Sequence, residues 1–184
     1  MYEKRLYFFV PYNISPIQQA IQAGHAALEY AYEYGDDIEY QEFIKNWKTW
    51  IILNGGTTNN RFDLDGVAQG SMNQIVQDFL INNIKHSTFQ EPDLNDALTA
   101  ICFLVDECVF NREDYPDFVD FILYKMMYPD AAAEVPAENI VMLKTKSNEE
   151  LEKMFPEYYR KWVTSVGGKK NVFLRELLKN KKLA

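Results

Sequence analysis

Short apolar segments alternate with longer amphipathic ones through the first 107 residues. Compact runs of branched and aromatic residues bounded by turn residues predict strands. The predicted strands are Leu6–Val10, Thr49–Leu53, His86–Phe89 and Thr99–Val105. Segments in which apolar residues recur every three or four positions predict helices. The predicted helices are residues 16–34, Tyr40–Trp47 and Val67–Asn83. Strands that alternate with helices indicate an α/β domain.

The first predicted helix has a clear start and stop. Ser15 is a typical N-cap, Pro16 suits the first helical position, and Gly35 ends the helix. Its apolar residues form one stripe. The stripe consists of Ile17, Ala20, Ile21, Gly24, Leu28 and Ala31. Small residues at 20, 23, 24, 26 and 27 predict close approach to a sheet.

The pattern changes after Asp106. We predict helices, a linker and one further strand in this part of the chain. The helices are Tyr115–Tyr128, Asn148–Val166 with a kink or restart at Pro156, and Val172–Leu178; the linker is Pro129–Pro136, and the strand is Ile140–Leu143. The predicted fold class is therefore α/β, with a small mixed β-sheet flanked by helices over residues 1–107. A mostly helical extension over residues 108–184 is predicted to pack on this core.

Composition and charge limit the classes of function that this protein can have. The 184 residues are 47% hydrophobic and 15% aromatic, which is enough to fill a core. Residues 1–143 carry eight Lys or Arg against 22 Asp or Glu, a formal charge of −14, whereas residues 144–184 carry +6. An acidic body repels nucleic-acid phosphate. The chain has no apolar stretch of about 18 residues and no signal-peptide core, so we expect a cytoplasmic protein without a membrane partner.

Metal-ligand spacings are missing from the sequence. Cys102 and Cys108 lie six positions apart, and His25 and His86 are far apart along the chain. These spacings match neither a zinc site nor a redox motif. We therefore expect buried, inert thiols, no metal and no cofactor.

Polar residues of the first helix form a second stripe, offset from the apolar one. Gln18, Gln22, His25 and Glu29 follow each other at spacings of four, three and four. The stripe could present an amide, an imidazole and a carboxylate to one cleft. Alternatively, it is an ordinary polar helix edge whose side chains bond neighbouring backbone.

A second polar cluster, Gln90–Thr99, directly precedes the most apolar strand. Polar groups at the mouth of a buried strand lie where α/β sheets often build sites. The cluster is equally explained as a turn, in which Pro92 fixes a bend and Asp93 or Asn95 caps it.

The segment Pro16–Leu28 follows a predicted strand and precedes a Trp-containing segment and a second strand. In sequence and in position it resembles the first helix of type 2 peptidyl-tRNA hydrolases. Gln22, His25, Ala26 and Ala27 match the family pattern, and Thr99–Phe103 is similar to its late Thr-bearing strand. The resemblance covers about residues 4–107. The family's functional lysine falls on Gln18 here, and a neutral amide supplies no fixed positive charge.

The resemblance implies catalytic roles for Asp93, Thr99 and His25. Asp93 would position or activate water, Thr99 would orient the carbonyl, and Gln22 with His25 would hold the helix against the site. The substrate-binding residues of this hypothesis in the first part of the chain are Gln18, Gln22 and Asn95. Residues 108–184 lie outside the resemblance, so phosphate contacts would have to come from basic residues near the C-terminus, namely Lys169, Lys170 and Arg175.

Three functions remain open on this basis. The first is hydrolysis of the ester between a peptide and tRNA. The second is a catalytically inactive protein of the same fold that acts as an interaction or regulatory module, with a protein partner or as a homodimer. The third is an RNA-binding accessory protein that uses the basic C-terminal end.

Overall fold

The structure, a computed structural model, describes residues 2–127 and 142–184. The chain divides into two compact units. The first comprises Met1–Glu107 and Phe173–Ala184, and the second comprises Cys108–Val172. The last residues of the predicted extension, Phe173–Ala184, thus belong to the first unit.

The first unit contains a four-stranded mixed sheet flanked by helices, which confirms the predicted α/β class. Its elements, in chain order, are β1 (Lys4–Pro11), α1 (Pro16–Tyr34), α2 (Ile38–Asn46), β2 (Thr49–Gly56), α3 (Ser71–Ile81), β3 (His86–Glu91) and β4 (Ala97–Asp106). The strand order is β2-β1-β4-β3. Strand β1 runs parallel to β2 and antiparallel to β4, and β3 runs antiparallel to β4.

Both faces of the sheet are covered. On one face, Phe8 packs with buried residues of α1 and with Phe43 of α2. On the other, Phe103 lies 4.8 Å from the Phe79 ring of α3 and 5.4 Å from the Phe9 ring, measured between centroids. Alternate residues of β4 therefore supply two separate apolar layers.

Helix α1 meets the sheet through alanines and glutamines. Its buried residues are Gln19, Gln22, Ala23, Ala26, Ala27 and Tyr30. The Ser87 hydroxyl donates to the Ala26 carbonyl at 2.7 Å, a contact that the small side chains of this face permit. The apolar stripe defined from the sequence is not the buried face: Ile17, Ile21 and Leu28 are exposed.

The last residues of the chain pair with the sheet. The Asn54 amide donates to the Lys182 carbonyl at 2.9 Å, and the Ala184 amide donates to the Ile52 carbonyl at 3.1 Å. Leu183 forms an antiparallel bridge with Leu53. This short segment covers the outer edge of β2, which would otherwise present unpaired backbone groups.

The second unit is helical in its described part. Its described helices include α5 (Phe118–Met127), α6 (Asn148–Met154) and α7 (Pro156–Ser165); the short α4 (Glu107–Phe110) precedes them, and α8 (Lys169–Leu178) follows. The predicted restart at Pro156 is confirmed, because proline cannot continue the preceding helix. The predicted linker 129–136 lies outside the described residues, as does half of the predicted strand 140–143. The other half, Met142 and Leu143, is helical, so the strand prediction is wrong there.

Candidate functional site

A chain of three polar side chains joins α1 to the ends of β3 and β4. The Thr99 hydroxyl donates to Gln22 Oε1 at 2.6 Å. Gln22 Nε2 in turn donates to Glu91 Oε2, also at 2.6 Å. These residues come from three elements that are distant in sequence, so the fold itself brings them together.

Burial of Thr99 and Gln22 fixes the orientation of the Gln22 amide. Thr99 is 2% exposed and Gln22 is 8% exposed, whereas Glu91 is only partly buried. The amide must turn its oxygen toward the hydroxyl and its NH₂ group toward the carboxylate, because the reverse would place two acceptors together. The buried Thr99 hydroxyl and Gln22 amide thus have hydrogen-bond partners, and the Glu91 carboxylate lies at the end of the series nearest the surface.

A β-bulge aims Thr99 at α1. In the β3–β4 ladder, Phe89 pairs with Ala100 but Gln90 pairs with Leu98, so Thr99 is the extra residue of β4. Regular alternation would turn Thr99 to the same face as Phe103, which contacts α3. The bulge redirects the hydroxyl to the α1 face, as bulges near functional sites often do.

His25 lies beside this chain on the surface of α1. Its ring stacks on Phe89, with centroids 4.4 Å apart and an angle of 17° between the planes. The imidazole is exposed. The ring contact of His25 is therefore with Phe89, whereas the carboxylate of Glu91 is bonded to Gln22.

The carboxylate at the site is Glu91 and not Asp93. Asp93 and Asn95 lie in the exposed turn after β3, and Asn95 adopts a left-handed backbone conformation with φ of 54°. Within residues 2–127 and 142–184, Asp93 forms no hydrogen bond or ion pair. Asp93, the carboxylate that the resemblance implies, is therefore not the partner of Gln22, because β3 ends at Glu91 and Asp93 lies in the turn that follows.

The alternation of side chains along β3 is a sequence feature that points to Glu91. Ser87, Phe89 and Glu91 alternate along β3, and each contacts α1. Their partners on α1 are Ala26, His25 and Gln22, respectively. Period-two alternation in a strand that packs on a helix would have selected Glu91.

Gln18 caps α1 and does not face the chain of polar groups. Its Nα–H donates to the Ser15 hydroxyl at 3.4 Å, and its Oε1 accepts from the Ser15 amide at 3.0 Å. This reciprocal capping box satisfies backbone donors that the first turn leaves open. In the structure the Gln18 side chain caps α1, and its substrate-binding role stays a prediction.

The basic residues predicted to contact phosphate fall into two groups. Lys169 and Lys170 are exposed in the second unit. Arg175 is fully buried in the first unit, which corrects its predicted role, because a buried guanidinium does not reach an RNA phosphate.

The described residues contain neither a metal-ligand cluster nor a membrane-spanning helix. No three His, Cys, Asp or Glu side chains in residues 2–127 and 142–184 are placed to hold a metal ion. In the same part of the chain, no helix has both the length and the apolar character to cross a bilayer. Cys102 is buried, and desolvation raises the pKa of its thiol well above the usual value. A thiol of this kind remains protonated and unreactive at neutral pH.

The chain matches no protein-family model, and it has no significant match among curated proteins.

Proposed function

We propose that this protein is a divergent type 2 peptidyl-tRNA hydrolase that cleaves the ester between a peptide and tRNA. The observation that carries the proposal is the hydrogen bond between Gln22 and Thr99. The family resemblance selects both positions, and they lie 77 residues apart in the chain. The element order of the first unit also agrees with the resemblance.

In the proposed reaction, Glu91 is the general base. Its Oε2 atom accepts the Gln22 amide, which leaves Oε1 to accept a proton from water. The water oxygen attacks the ester carbonyl carbon, the bond from that carbon to the ribose oxygen breaks, and Glu91 returns the proton to this ribose oxygen, which leaves as the free hydroxyl of the tRNA. Gln22 fixes the orientation of Glu91, and Thr99 acts as a positioning residue through Gln22. A positioned base of this type contributes about 10²–10⁴-fold to a rate.

The charge distribution supports tRNA binding only through the C-terminal region. Residues 144–184 carry +6, and Lys169 and Lys170 are exposed within them. Binding that depends on a few lysines against an acidic body weakens steeply with salt. We propose these two lysines as phosphate contacts.

We expect the wild-type protein to release free tRNA from peptidyl-tRNA and the Glu91→Gln variant to lose about 100-fold in kcat/KM, because an amide accepts no proton. Asp93→Asn is the matched control, two residues away in the exposed turn, and should retain wild-type activity. Release is measured by gel separation of charged and free tRNA. An inactive wild type would refute the proposal, and equal losses in both variants would refute the role of Glu91.

A second function is favoured by the residue at the position where the family has its functional lysine. Gln18 occupies it and is held in the capping box, so no fixed positive charge faces a developing oxyanion from this residue. This observation fits a catalytically inactive protein that serves as an interaction or regulatory module. The Gln18→Lys variant separates the two functions: a gain of tRNA release supports a weakened hydrolase, and no release from either form supports the module.

A further inference from the structure

Strands β1, β2 and β3 end on the same side of the sheet, which we call the carboxyl end. The parallel strands β1 and β2 end together, where Pro11 pairs with Gly56. Strand β4 begins on this side as well, because Ala97 pairs with Glu91 at the end of β3 and β4 runs antiparallel to both β1 and β3. The polar side chains at Glu91 therefore share the carboxyl end with the segments that follow β1 and β2.

Basic residues are distributed unequally between the two ends of the sheet. Residues 2–107 contain six Lys or Arg. Five of them shortly precede a strand or occupy its first two positions, and so lie at the opposite end: Lys4, Arg5, Lys45, Lys48 and Lys85. The sixth, Arg61, is exposed in the loop that follows β2. Arg61 is therefore the only one of these six cations at the carboxyl end.

The cations at the two ends also differ in their partners. Three at the opposite end form ion pairs: Lys4 with Glu39 and Glu42, Arg5 with Glu3, and Lys85 with Asp37. Arg61 belongs to none of the ion pairs within residues 2–127 and 142–184, and neither does the exposed Lys182. The Lys182 carbonyl accepts from the Asn54 amide, so this lysine lies beside the last residues of β2. Two cations near the end of β2 are thus available to an anion.

Hydrogen bonds within the loop position Arg61. Its carbonyl accepts from the Gln69 amide at 2.9 Å, which joins the two sides of the loop. The Asp63 carboxylate accepts from the amides of Asp65 and Val67 at 3.0 and 2.8 Å, so its charge is engaged within the turn. The loop therefore holds the backbone of Arg61 in place while the guanidinium faces solvent.

Tyr12 provides an aromatic surface between Glu91 and Arg61. It directly follows β1, it is 60% exposed, and its amide donates to the Gly56 carbonyl at 3.1 Å. The strand order β2-β1-β4-β3 places the end of β1 between the ends of β2 and β3. At about 4.8 Å per strand, the ends of β1 and β2 lie about 10 and about 14 Å from the end of β3.

An exposed aromatic ring close to available cations is the combination that binds single-stranded nucleic acid, because bases stack on the ring and phosphates contact the cations. The nucleotides that carry the ester in peptidyl-tRNA are unpaired. Glu91, Asp93 and Asp96 place negative charge at the β3 side, where it repels phosphate. A strand whose ester lies at Glu91 would therefore extend toward β2.

We propose that the carboxyl end of the sheet binds the unpaired 3′ nucleotides of the substrate, with a base stacked on Tyr12 and phosphates contacted by Arg61 and Lys182. The proposal rests on the proposed function, because Glu91 marks the position of the ester. Net charge alone points to the C-terminal region, whereas position along the sheet adds Arg61. These residues bind the substrate away from the reacting carbonyl, so their loss raises KM and leaves kcat unchanged.

Binding of uncharged tRNA is the first test, because it requires no hydrolysis. We expect the wild type to bind intact tRNA about tenfold more tightly than tRNA without its unpaired 3′ nucleotides, measured by fluorescence anisotropy. Tyr12→Ala should weaken binding of intact tRNA about tenfold, whereas Tyr12→Phe should retain it, because the phenyl ring still stacks. Tyr2→Ala is the matched control: Tyr2 precedes β1, is 49% exposed and lies at the opposite end, so binding should stay unchanged.

Salt dependence identifies the phosphate contacts. Arg61→Gln and Lys182→Gln should each reduce the slope of log K against log salt concentration by about 0.7, the value for one phosphate contact on a single strand. Lys45→Gln removes one charge from an exposed position of α2 at the opposite end and should leave the slope unchanged. Tyr12→Ala should also keep the wild-type slope, because it removes no charge.

Hydrolysis assays separate failure of this proposal from failure of the proposed function. An active enzyme whose KM is unchanged by both Tyr12→Ala and Arg61→Gln would overturn the binding site and leave the hydrolase standing. An inactive wild type that binds intact tRNA through Tyr12 and Arg61 would refute hydrolysis and support the binding site. Equal affinity for intact and trimmed tRNA, or binding to neither, would overturn the binding site directly.

Discussion

Replacing Phe103 with alanine is expected to lower the free energy of unfolding by about 3–5 kcal/mol. Phe103 is fully buried in the middle of β4, where its ring contacts Tyr7, Phe9 and Phe79. Truncation removes apolar contact area and leaves a cavity that three neighbouring rings cannot fill without distorting the sheet or α3. Urea denaturation followed by circular dichroism measures the loss.

The control for this change is Phe62→Ala, which removes the same atoms from a side chain that is 59% exposed. We expect this variant to stay within about 0.5 kcal/mol of the wild type, as surface substitutions usually do. Similar losses in both variants would contradict the placement of Phe103 between β1 and α3.

Replacing Trp162 with alanine should destabilise the second unit by about 3–5 kcal/mol. Trp162 is 1% exposed and lies in a core with Phe118, Ile122 and Leu151. Its indole Nε1–H also donates to the Pro116 carbonyl at 2.9 Å, so truncation leaves that partly buried acceptor without this donor.

Hydrogen exchange of α5 reports the effect of the Trp162 change locally, because this helix packs in the same core. We expect faster exchange there than in the wild type. Met154→Ala, at a position that is 45% exposed in α6, should leave exchange in α5 unchanged. Unchanged exchange after Trp162→Ala would contradict a central role for Trp162 in the second unit.

The elements of the fold could be predicted because their signals are local. Ser15 and Pro16 mark the start of α1 by capping chemistry, and the structure confirms that start. The apolar runs around Phe8 and Phe103 likewise predict strands, and the structure confirms them as β1 and β4, the two central strands of the sheet. Bounds differ by a few residues, since end positions depend on pairing with neighbouring strands.

The orientation of α1 could not be predicted from its apolar residues. Its periodicity defines a stripe, but the sheet selects the alanine face, which allows the Ser87 hydroxyl to reach the Ala26 carbonyl. Gln22 can be buried on that face because Thr99 and Glu91 satisfy its amide. These partners are far away in sequence, so no local pattern reveals them.

Two of the predicted site residues, Gln22 and Thr99, are in contact in the structure, and the carboxylate that joins them is Glu91 rather than Asp93. The decisive feature is the bulge at Thr99, which turns its hydroxyl to the α1 face. The register of two paired strands determines that bulge, and a single sequence gives no direct signal for it.

A double-mutant cycle between Gln22 and Thr99 tests most directly whether these side chains form one buried polar unit. Thr99→Val should cost about 1–3 kcal/mol, because it leaves the Gln22 oxygen buried without its donor. Gln22→Met removes the amide at similar volume.

In the double variant both partners are apolar, so its loss in unfolding free energy should be smaller than the sum of the single losses by about 0.5–3 kcal/mol. Losses that add within about 0.5 kcal/mol would mean that the two side chains are independent. That result would contradict the polar chain from Thr99 through Gln22 to Glu91 on which the proposed site rests.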